Sequence, residues 1–381
     1  MLSRLYYAAE EPTMKIHRLS VQRFRALRDL QISDFGRVNL ITGRNNTGKS
    51  SVLEALRILA SDASPSLIRD ILTFREEDAG DGSRSVDSEG AFLPSSLFYG
   101  FPRFSTKIEP IVIKSRGGEK PMDLSIQMGL ASERHTSEGF RILDVREEQL
   151  VEEGEGIPIL IVMAGGSRRA LTLDSFSRTR PLGLHTDLAG EPRLPCVFVS
   201  PYGGKGTADL GYLWDKIALS DREKDVVEAL RIIDPEILAV SMVGGESSRR
   251  TRIAIVRSRG LARPVPLRSF GDGLNRLFGI VLSLVNATDG LLLIDEFENG
   301  LHHTVQTDVW RVIFRLASRL DIQVVATSHS WDAIEAFQKA AIETPEEGVL
   351  VRLSRSGEDI IPTLFREDEL AVATREGIEV R

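Results

Sequence analysis

The sequence predicts an α/β fold in which mixed β-sheets are flanked by helices, with a small helical insertion. Two stretches carry this prediction. The apolar run VNLI at 38–41 leads through a glycine-bearing loop into a helical pattern, and the apolar run LLLI at 291–294 leads through a helix to a third run, IQVVATSHS at 322–330. Strands that alternate with helices in this way are typical of sheets with parallel strands.

Composition excludes several classes of protein. The chain has 381 residues, of which 42% are hydrophobic, which is enough for two or three modules with sizeable cores. A net charge of -7 argues against a globally basic nucleic-acid binder. Cys196 is the single cysteine, which excludes an internal disulfide and a cysteine-rich zinc site. Because the sequence contains neither a long apolar run nor a secretory signal, we expect a cytoplasmic protein without a membrane span.

A loop that can cradle phosphates follows the first apolar run. In GRNNTGKS at 43–50, four residues separate Gly43 from Gly48, and Lys49 and Ser50 follow directly. Glycines let the backbone curl so that its N–H groups face a phosphate at the positive end of the next helix. Lys49 adds a positive charge near the β- and γ-phosphates, and the Ser50 hydroxyl is a suitable magnesium ligand. The spacing therefore predicts a nucleotide site.

Two adjacent carboxylates, Asp295 and Glu296, follow the strand predicted at 291–294. We expect this strand to run parallel to the phosphate-loop strand and beside it, which brings both side chains to the nucleotide edge of the sheet. Asp295 is the first residue after the strand and suits the magnesium site. Glu296 suits a general base that polarises a water in line with the γ-phosphate.

Histidines follow at two places. His329 lies at the end of the strand predicted at 322–330, where it can donate to an oxygen of the γ-phosphate and sense its presence. His302 and His303 lie at the start of a helix, where adjacent side chains point about 100° apart. That divergence favours a turn that contacts a second subunit over a metal site.

The segment SFGDG at 269–273 opens a helix with an apolar face. Ser269, Gly271 and Gly273 leave N–H groups of the helix start free for an anion. One chain does not easily bring two such sites to one triphosphate. Two chains can, if 269–273 of one chain closes over the nucleotide held by 43–50 of the other. The alternative interpretation of the segment is a simple helix cap.

Taken in order, the phosphate loop, SFGDG, LLLIDE, the turn NGLHH and a strand that ends in histidine resemble the ABC-type ATPase heads of the RecF and SMC group. Within that group, the chain most resembles the OLD-related AAA-type ATPases of bacterial anti-phage systems. The first strand, the pair Phe24 and Arg25, and the strand after it are similar to the start of those heads. The resemblance covers roughly 14–60 and 195–335 and implies an ABC-type P-loop NTPase fold.

The resemblance also implies ATP and Mg²⁺ as ligands and hydrolysis of ATP to ADP and phosphate. Asp295 would be the Walker B acid, and Glu296 would be the catalytic acid. His329 would be the switch histidine, and 299–302 would form the D-loop. Lys49 would be a catalytic residue together with Glu296 and His329. A head-to-tail homodimer or higher homo-oligomer would hold ATP between its heads. The implied ATP-binding residues are Gly43, Arg44, Asn45, Asn46, Thr47, Gly48, Lys49, Ser50 and Ser51, with Ser269, Gly271 and Gly273, and the implied metal ligands are Ser50 and Asp295.

Three features depart from the family pattern. SFGDG differs from the transporter signature LSGGQ. The predicted strand LPCVFVS at 194–200 ends in Ser200, where such heads carry a magnesium-binding glutamine. Either Ser200 or a water takes that place, or the segment aligns differently. Residues 330–381 are fewer than the roughly 100 that a Toprim nuclease needs, so we expect an ATPase without its own nuclease domain.

The predicted organisation is an N-terminal tail at 1–13, a split ATPase head at 14–205 and 264–381, and an arm-like helical insertion with following strands at 206–263. The two helices of the insertion are too short for a long coiled coil, and Ser220 with Glu223 predicts a capping box for the second.

The middle of the chain is less regular. Within 61–190, alternating apolar segments at 111–113, 124–128 and 157–163 are expected to complete the sheets, and 76–90 is predicted to be a mobile loop. Several arginines form a candidate nucleic-acid patch, for which a solvated, salt-bridged face is the alternative. These are Arg168, Arg169, Arg249, Arg250 and Arg252.

The sequence leaves three functions open. The leading one is an ATP-dependent molecular switch whose dimer controls a separate nuclease or toxin in anti-phage defence or DNA repair. The second is an assembly scaffold that binds ATP with little turnover, against which the presence of Lys49, Asp295, Glu296 and His329 counts. The third is the ATPase subunit of a transporter, against which the atypical SFGDG and the absence of the glutamine count.

Overall fold

Three β-sheets and seven α-helices make up most of the described part of the chain, as seen in a computed structural model. The structure describes residues 14–75, 77, 93–103, 105–118, 121–135, 141–145, 157–172, 193–201, 207–244, 252–344, 347–366 and 369. The predicted tail at 1–13, most of the predicted loop at 76–90, and Arg249 and Arg250 lie outside these residues.

The first sheet has seven strands, and every neighbouring pair in it is antiparallel. Its order is β2-β1-β4-β5-β7-β8, with β6 paired to β5. The expectation that 61–190 completes the sheets is confirmed, because five of the seven strands come from this stretch. The strands are β1 (Arg18–Phe24), β2 (Leu27–Ile32), β4 (Ile111–Arg116), β5 (Met122–His135), β6 (Arg141–Val145), β7 (Ile157–Ala164) and β8 (Ser167–Thr172).

The second sheet has six strands in the order β16-β15-β3-β14-β13-β9. All neighbours are parallel except the hairpin of β15 and β16. The strands are β3 (Val38–Thr42), β9 (Cys196–Val199), β13 (Leu291–Ile294), β14 (Gln323–Thr327), β15 (Gly348–Ser356) and β16 (Asp359–Phe365).

One expectation about this sheet is wrong. β13, which precedes the two carboxylates, is parallel to the phosphate-loop strand β3 but is not beside it. β14 lies between them, with Leu292 opposite Val324 on one side and Leu40 opposite Ala326 on the other. The chain leaves β13, crosses over through a helix and returns as the strand that fills the gap next to β3.

The remaining elements surround these two sheets. A third sheet of β10 (Ile237–Gly244), β11 (Arg252–Ser258) and β12 (Val265–Pro266) is antiparallel. The helices are α1 (Lys49–Ala60), α2 (Pro65–Phe74), α3 (Thr207–Asp215), α4 (Asp221–Leu230), α5 (Asp272–Val285), α6 (His303–Arg319) and α7 (Trp331–Ala341).

The central strands of the second sheet are buried on both faces, which explains why their sequences are unbroken apolar runs. Leu40 and Leu292 point into a core shared with α5, α6 and α7. Ile41 and Leu293 point into a second core shared with α1, α2 and the first sheet. Helix α1, which begins at Lys49, therefore lies between the two large sheets, and its start is held firmly at their edge.

The two helices predicted in 206–263 are present and pack against α5, where the rings of Trp214 and Phe278 are 6.1 Å apart. The capping box predicted for α4 is wrong. The Ser220 hydroxyl donates to the Ile217 carbonyl at 2.5 Å, while the Glu223 carboxylate accepts from the Leu219 backbone N–H at 3.0 Å. The turn before α4 gives the hydroxyl a closer acceptor, so the box does not close.

The arginines of the candidate nucleic-acid patch are divided between sheets. Arg168 and Arg169 lie on β8 of the first sheet, whereas Arg252 lies on β11 of the third sheet and is paired with Asp215 at 2.6 Å. Arg169 donates to the Asp62 carbonyl. Two of these three side chains therefore have acceptors within the chain.

No helix in the described ranges is long and apolar enough to cross a membrane.

Candidate nucleotide-binding site

The loop at 43–50 curls because three of its residues have left-handed backbone angles: φ is +141° at Gly43, +64° at Asn46 and +82° at Gly48. A Cβ on Gly43 would lie 2.4 Å from the carbonyl oxygen of Leu353, so only glycine fits there. Asparagine tolerates the left-handed region better than most residues. The loop is closed from within by the Thr47 hydroxyl, which donates to the Arg44 carbonyl at 2.8 Å.

Lys49 is the first residue of α1 and bends back over this loop. Its ammonium donates to the carbonyls of Gly43 and Arg44 at 2.6 and 3.0 Å. Burial lowers the pKa of Lys49, and the opposing charges of Asp295, Glu298 and Glu296 do not fully restore it. The structure therefore places a partly desolvated cation among carboxylates, at the mouth of a loop suited to phosphates.

Asp295 and Ser50 come together at the carboxyl edge of the second sheet. The Ser50 hydroxyl lies 3.2 Å from Oδ1 of Asp295, and the Thr327 hydroxyl donates to the same oxygen at 2.6 Å. Asp295 and Thr327 are both nearly or fully buried. Thr327 was not predicted as a site residue, although its position as the last residue of β14 places it at the same edge as Asp295.

Glu296 follows in a constrained turn with φ +49°, a region that non-glycine residues rarely adopt. Its backbone N–H donates to the Thr327 hydroxyl at 2.9 Å. Its carboxylate oxygen Oε2 accepts from the Asn299 side-chain amide at 2.5 Å. Asn299 also donates to the Pro201 carbonyl at 3.2 Å. The carboxylate is therefore held on one oxygen, while the other remains available to a proton donor.

His329 lies two residues beyond β14 and its side chain is half exposed. It faces Glu298. Oε1 of Glu298 accepts the backbone N–H of His329 at 3.0 Å and lies 3.2 Å from Nδ1 of His329.

The prediction that the side chains of His302 and His303 diverge is wrong, because their ring centroids are 4.2 Å apart. His302 is the N-cap residue of α6 with extended backbone angles, so the helical 100° rotation does not apply.

Arg276 is a buried cation that sequence patterns did not single out. It lies on α5, is 3% exposed, and donates to the carbonyls of Ser200 at 2.6 Å, Asp295 at 3.1 Å and Glu296 at 3.0 Å. Burial lowers the pKa of Arg276 to about 10, which leaves the side chain charged at neutral pH. Its partners are backbone atoms of distant segments, and periodicity gives no signal for such contacts.

The segment 269–273 leads from a short 3-10 helix, Leu267–Phe270, into α5, with Gly271 as the N-cap residue at φ +97°. It packs against the turn after Glu296, since a Cβ on Gly273 would lie 3.2 Å from the Gly300 carbonyl oxygen. The structure thus brings Lys49 and Ser50 together with Asp295 and Glu296. His329 contacts Glu298, and 269–273 lies beside the turn that follows Glu296.

The residues present fit a magnesium ion. Magnesium keeps several waters and takes only one or two protein ligands beside the phosphates, and the Ser50 hydroxyl and Asp295 carboxylate are close enough to serve together. In the described ranges, no cluster of three or more His, Cys, Asp or Glu side chains is arranged to hold a metal.

Two family models match the chain. "AAA ATPase domain" matches residues 14–127, and "AAA domain, putative AbiEii toxin, Type IV TA system" matches residues 202–334. The chain carries AAA-type ATPase domains. One matched range contains the phosphate loop and Ser50, and the other contains Asp295, which Ser50 contacts at the edge of the second sheet.

Two relatives align with the chain, one of them over nearly its full length. An ATP/GTP phosphatase of Helicobacter pylori is 23% identical over 392 residues, covering 93% of this chain and 96% of that protein. An uncharacterised protein of Methanocaldococcus jannaschii is 35% identical over 65 residues, which is 16% of this chain and 30% of that protein.

A solved structure with a TM-score above 0.5 confirms the predicted fold. An SMC head bound to the C-winged helix domain of ScpA aligns with a TM-score of 0.51 and 11% identity, over 94% of this chain and 99% of that one. The SMC head domain of Thermotoga maritima aligns with a TM-score of 0.44 and 12% identity, over 93% and 100%. The fold is the mixed α/β fold of an SMC ATPase head, an ABC-type P-loop NTPase.

Proposed function

We propose that this protein is an ATP-hydrolysing molecular switch that dimerises through its ATPase heads and controls a separate effector protein. The observation that carries the proposal is the convergence of Ser50, Asp295 and Glu296 at one sheet edge, beside a phosphate loop with a desolvated lysine. The matches to AAA-type ATPase models and to an ATP/GTP phosphatase support hydrolysis as the reaction.

Each residue has a role in the proposed reaction. Lys49 and the loop N–H groups hold the β- and γ-phosphates of ATP. Glu296 accepts a proton from the attacking water through the carboxylate oxygen that Asn299 does not occupy. His329 donates to an oxygen of the γ-phosphate. Ser50 and Asp295 would hold Mg²⁺, which when bound neutralises charge on the β- and γ-phosphates.

Dimerisation gives the remaining anion site a use. Ser269 lies in the 3-10 helix Leu267–Phe270 that precedes α5, Gly271 is the N-cap residue of α5, and Gly273 lies in its first turn. In a head-to-tail dimer they would close over the partner's ATP, so that binding favours the closed state and hydrolysis opens it. The effector is a nuclease or toxin, which places the switch in anti-phage defence or DNA repair in the cytoplasm.

Phosphate release by wild-type protein and by Glu296→Gln tests the proposal. We expect sustained wild-type turnover with Mg²⁺, and loss of at least about 100-fold in the variant with unchanged ATP affinity, because the amide is not a base. Glu343→Gln, on the exposed surface, is the matched control and should hydrolyse ATP normally. If wild-type protein binds ATP without turnover, the chain is an assembly scaffold; if Glu296→Gln turns over normally, the assigned base is wrong.

A further inference from the structure

Glu298 is a largely buried acid that the proposed reaction does not use. It follows the strand that ends at Ile294, and its side chain is 10% exposed. Oε1 accepts the backbone N–H of His329 at 3.0 Å and lies 3.2 Å from Nδ1 of the same residue. One carboxylate oxygen thus contacts both the main chain and the ring of the histidine that lies after the neighbouring strand.

The contact belongs to a series that joins the two chain segments beyond β13 and β14. The Glu296 N–H donates to the Thr327 hydroxyl at 2.9 Å, and the Phe297 N–H donates to the Thr327 carbonyl at 2.9 Å. The Glu298 carboxylate makes the third contact, with His329. The first two are backbone-donated bonds that many sequences allow at 296 and 297, whereas the third requires an acceptor side chain at 298.

Without such a contact, His329 would have little to fix its ring. Its side chain is half exposed, and an exposed side chain loses rotamer entropy when it is held in one orientation. With Nδ1 turned toward Glu298, the opposite ring nitrogen, Nε2, is the one left to face a ligand. The ring is therefore oriented before any nucleotide binds, which is the condition for an efficient donor.

Burial of Glu298 is costly for a residue that only shapes a turn. Its Oε2 is buried and has no hydrogen-bond partner within the part of the chain that the structure describes. A buried carboxylate with an unpaired oxygen destabilises a fold relative to a neutral side chain. The positive charges of Lys49 and Arg276, which both interact with Glu298, offset part of that cost. A neutral side chain would form the turn more cheaply, so the carboxylate indicates a functional demand.

We infer that Glu298 is a positioning residue that orients the imidazole of His329 so that Nε2 faces the γ-phosphate of bound ATP. The inference rests on the proposed function, because it acts through His329. Glu298 itself does not touch the nucleotide. It therefore affects the rate of turnover rather than nucleotide affinity, and its effect depends entirely on the presence of the histidine.

A double-mutant cycle tests the inference in the full-length protein. Phosphate release is measured for wild type, Glu298→Ala, His329→Ala and the double variant, with the ATP dissociation constant and the unfolding midpoint measured for each. We expect Glu298→Ala to lower kcat roughly 10-fold in the wild-type background and by less than about twofold when His329 is already alanine. The ATP dissociation constant should stay within about twofold throughout.

Two further variants separate positioning from folding. Glu298→Gln keeps an acceptor oxygen for the His329 N–H, so it should recover part of the kcat lost in Glu298→Ala without a lower unfolding midpoint. Glu335→Ala removes an acid on α7 that accepts from Trp331 at 2.6 Å, and it should leave kcat unchanged. Equal losses from Glu298→Ala with and without His329, or no rescue by glutamine, would overturn the inference.

The same cycle distinguishes failure of the inference from failure of the proposed function. If His329→Ala hydrolyses ATP at the wild-type rate, the histidine has no role in turnover and that part of the proposed function is wrong. If His329→Ala is slow but Glu298→Ala is not, the proposed role of His329 stands and the positioning role of Glu298 is rejected.

Discussion

Ser50 and Asp295 lie 245 positions apart in the chain, yet the Ser50 hydroxyl is 3.2 Å from Oδ1 of Asp295. One residue is in the first turn of α1 and the other directly follows β13. Because β14 separates β3 from β13, the contact reaches past the intervening strand. The Thr327 hydroxyl, bonded to the same oxygen, fills the intervening position.

This pair predicts a magnesium-dependent step in nucleotide binding. Ser50→Ala removes the hydroxyl, and we expect the ATP dissociation constant measured with Mg²⁺ to rise by at least the roughly 10-fold typical of a lost supporting metal contact. With EDTA in place of Mg²⁺, variant and wild type should bind ATP alike. Ser66→Ala, at an exposed position of α2, is the control and should match wild type under both conditions. Equal weakening of Ser50→Ala with EDTA would contradict a metal role.

We expect the affinity for ATP to depend on pH because of the charge on Lys49. Burial lowers the pKa of Lys49 from its ordinary 10.5, so the free protein begins to lose this charge below that pH. Bound phosphates favour the protonated amine, so binding above the lowered pKa requires uptake of a proton and affinity falls as pH rises. Isothermal titration over about pH 7 to 10 should show this fall in wild type. Lys49→Arg should delay it, because arginine stays charged; an identical fall in Lys49→Ala would assign it to another group.

We expect replacement of Arg276 to lower both the stability of the fold and the rate of ATP turnover. Arg276→Met leaves the buried carbonyls of Ser200, Asp295 and Glu296 without their donor, at a cost of about 3 kcal/mol in the free energy of unfolding. It also releases the constrained turn at Glu296, so kcat should fall more than ATP affinity. Urea unfolding and phosphate release measure both effects. Arg311→Met, at an exposed ion pair, should change neither by much; equal stability of the two variants would contradict the structural role.

The sequence predicted those parts of the site that depend on local pattern. The phosphate loop, the buried strands at 38–42 and 291–294, and Asp295 and Glu296 after the second strand are recognisable because their residue types are confined to short stretches. Strand order was predicted less well. Periodicity reports which residues are buried but not which strand is adjacent, so β14 between β3 and β13 was missed.

Hydrogen bonds between side chains and distant backbone atoms could not be predicted from the sequence either. Arg276 binds carbonyls of segments 19 to 76 positions away, and Glu298 binds a backbone N–H 31 positions away. A backbone acceptor is present at every residue, so the sequence carries no mark of which one is used. The predicted side-chain direction of His302 is wrong for a related reason. Its extended N-cap conformation is set by the turn before α6 rather than by its own identity.

We predict that the surface formed by 269–273 contacts a second copy of the chain. Gly271 has φ +97°, and a Cβ placed on it meets nothing within 4 Å in the described structure. A side chain there would project outward and block a closely packed contact between the two chains. Gly271 has ψ 168°, in a backbone region that is adopted almost only by glycine, so Gly271→Val also strains the turn and its unfolding midpoint is measured as well. In a Glu296→Gln background that holds ATP, Gly271→Val should therefore stay monomeric under conditions in which the parent dimerises.

Gly260→Val is the matched control for that prediction. Gly260 also has a left-handed backbone, at φ +76°, and open space around its Cβ, but it lies in the turn after β11 rather than at the start of α5. Both substitutions strain a backbone at positive φ, so the unfolding midpoints of the two variants are measured first. If both proteins are folded, a difference in oligomeric state reports on the surface. Light scattering with and without ATP should find dimers in the Gly260→Val protein and monomers in the Gly271→Val protein. Dimers in both would mean that 269–273 is only a helix cap.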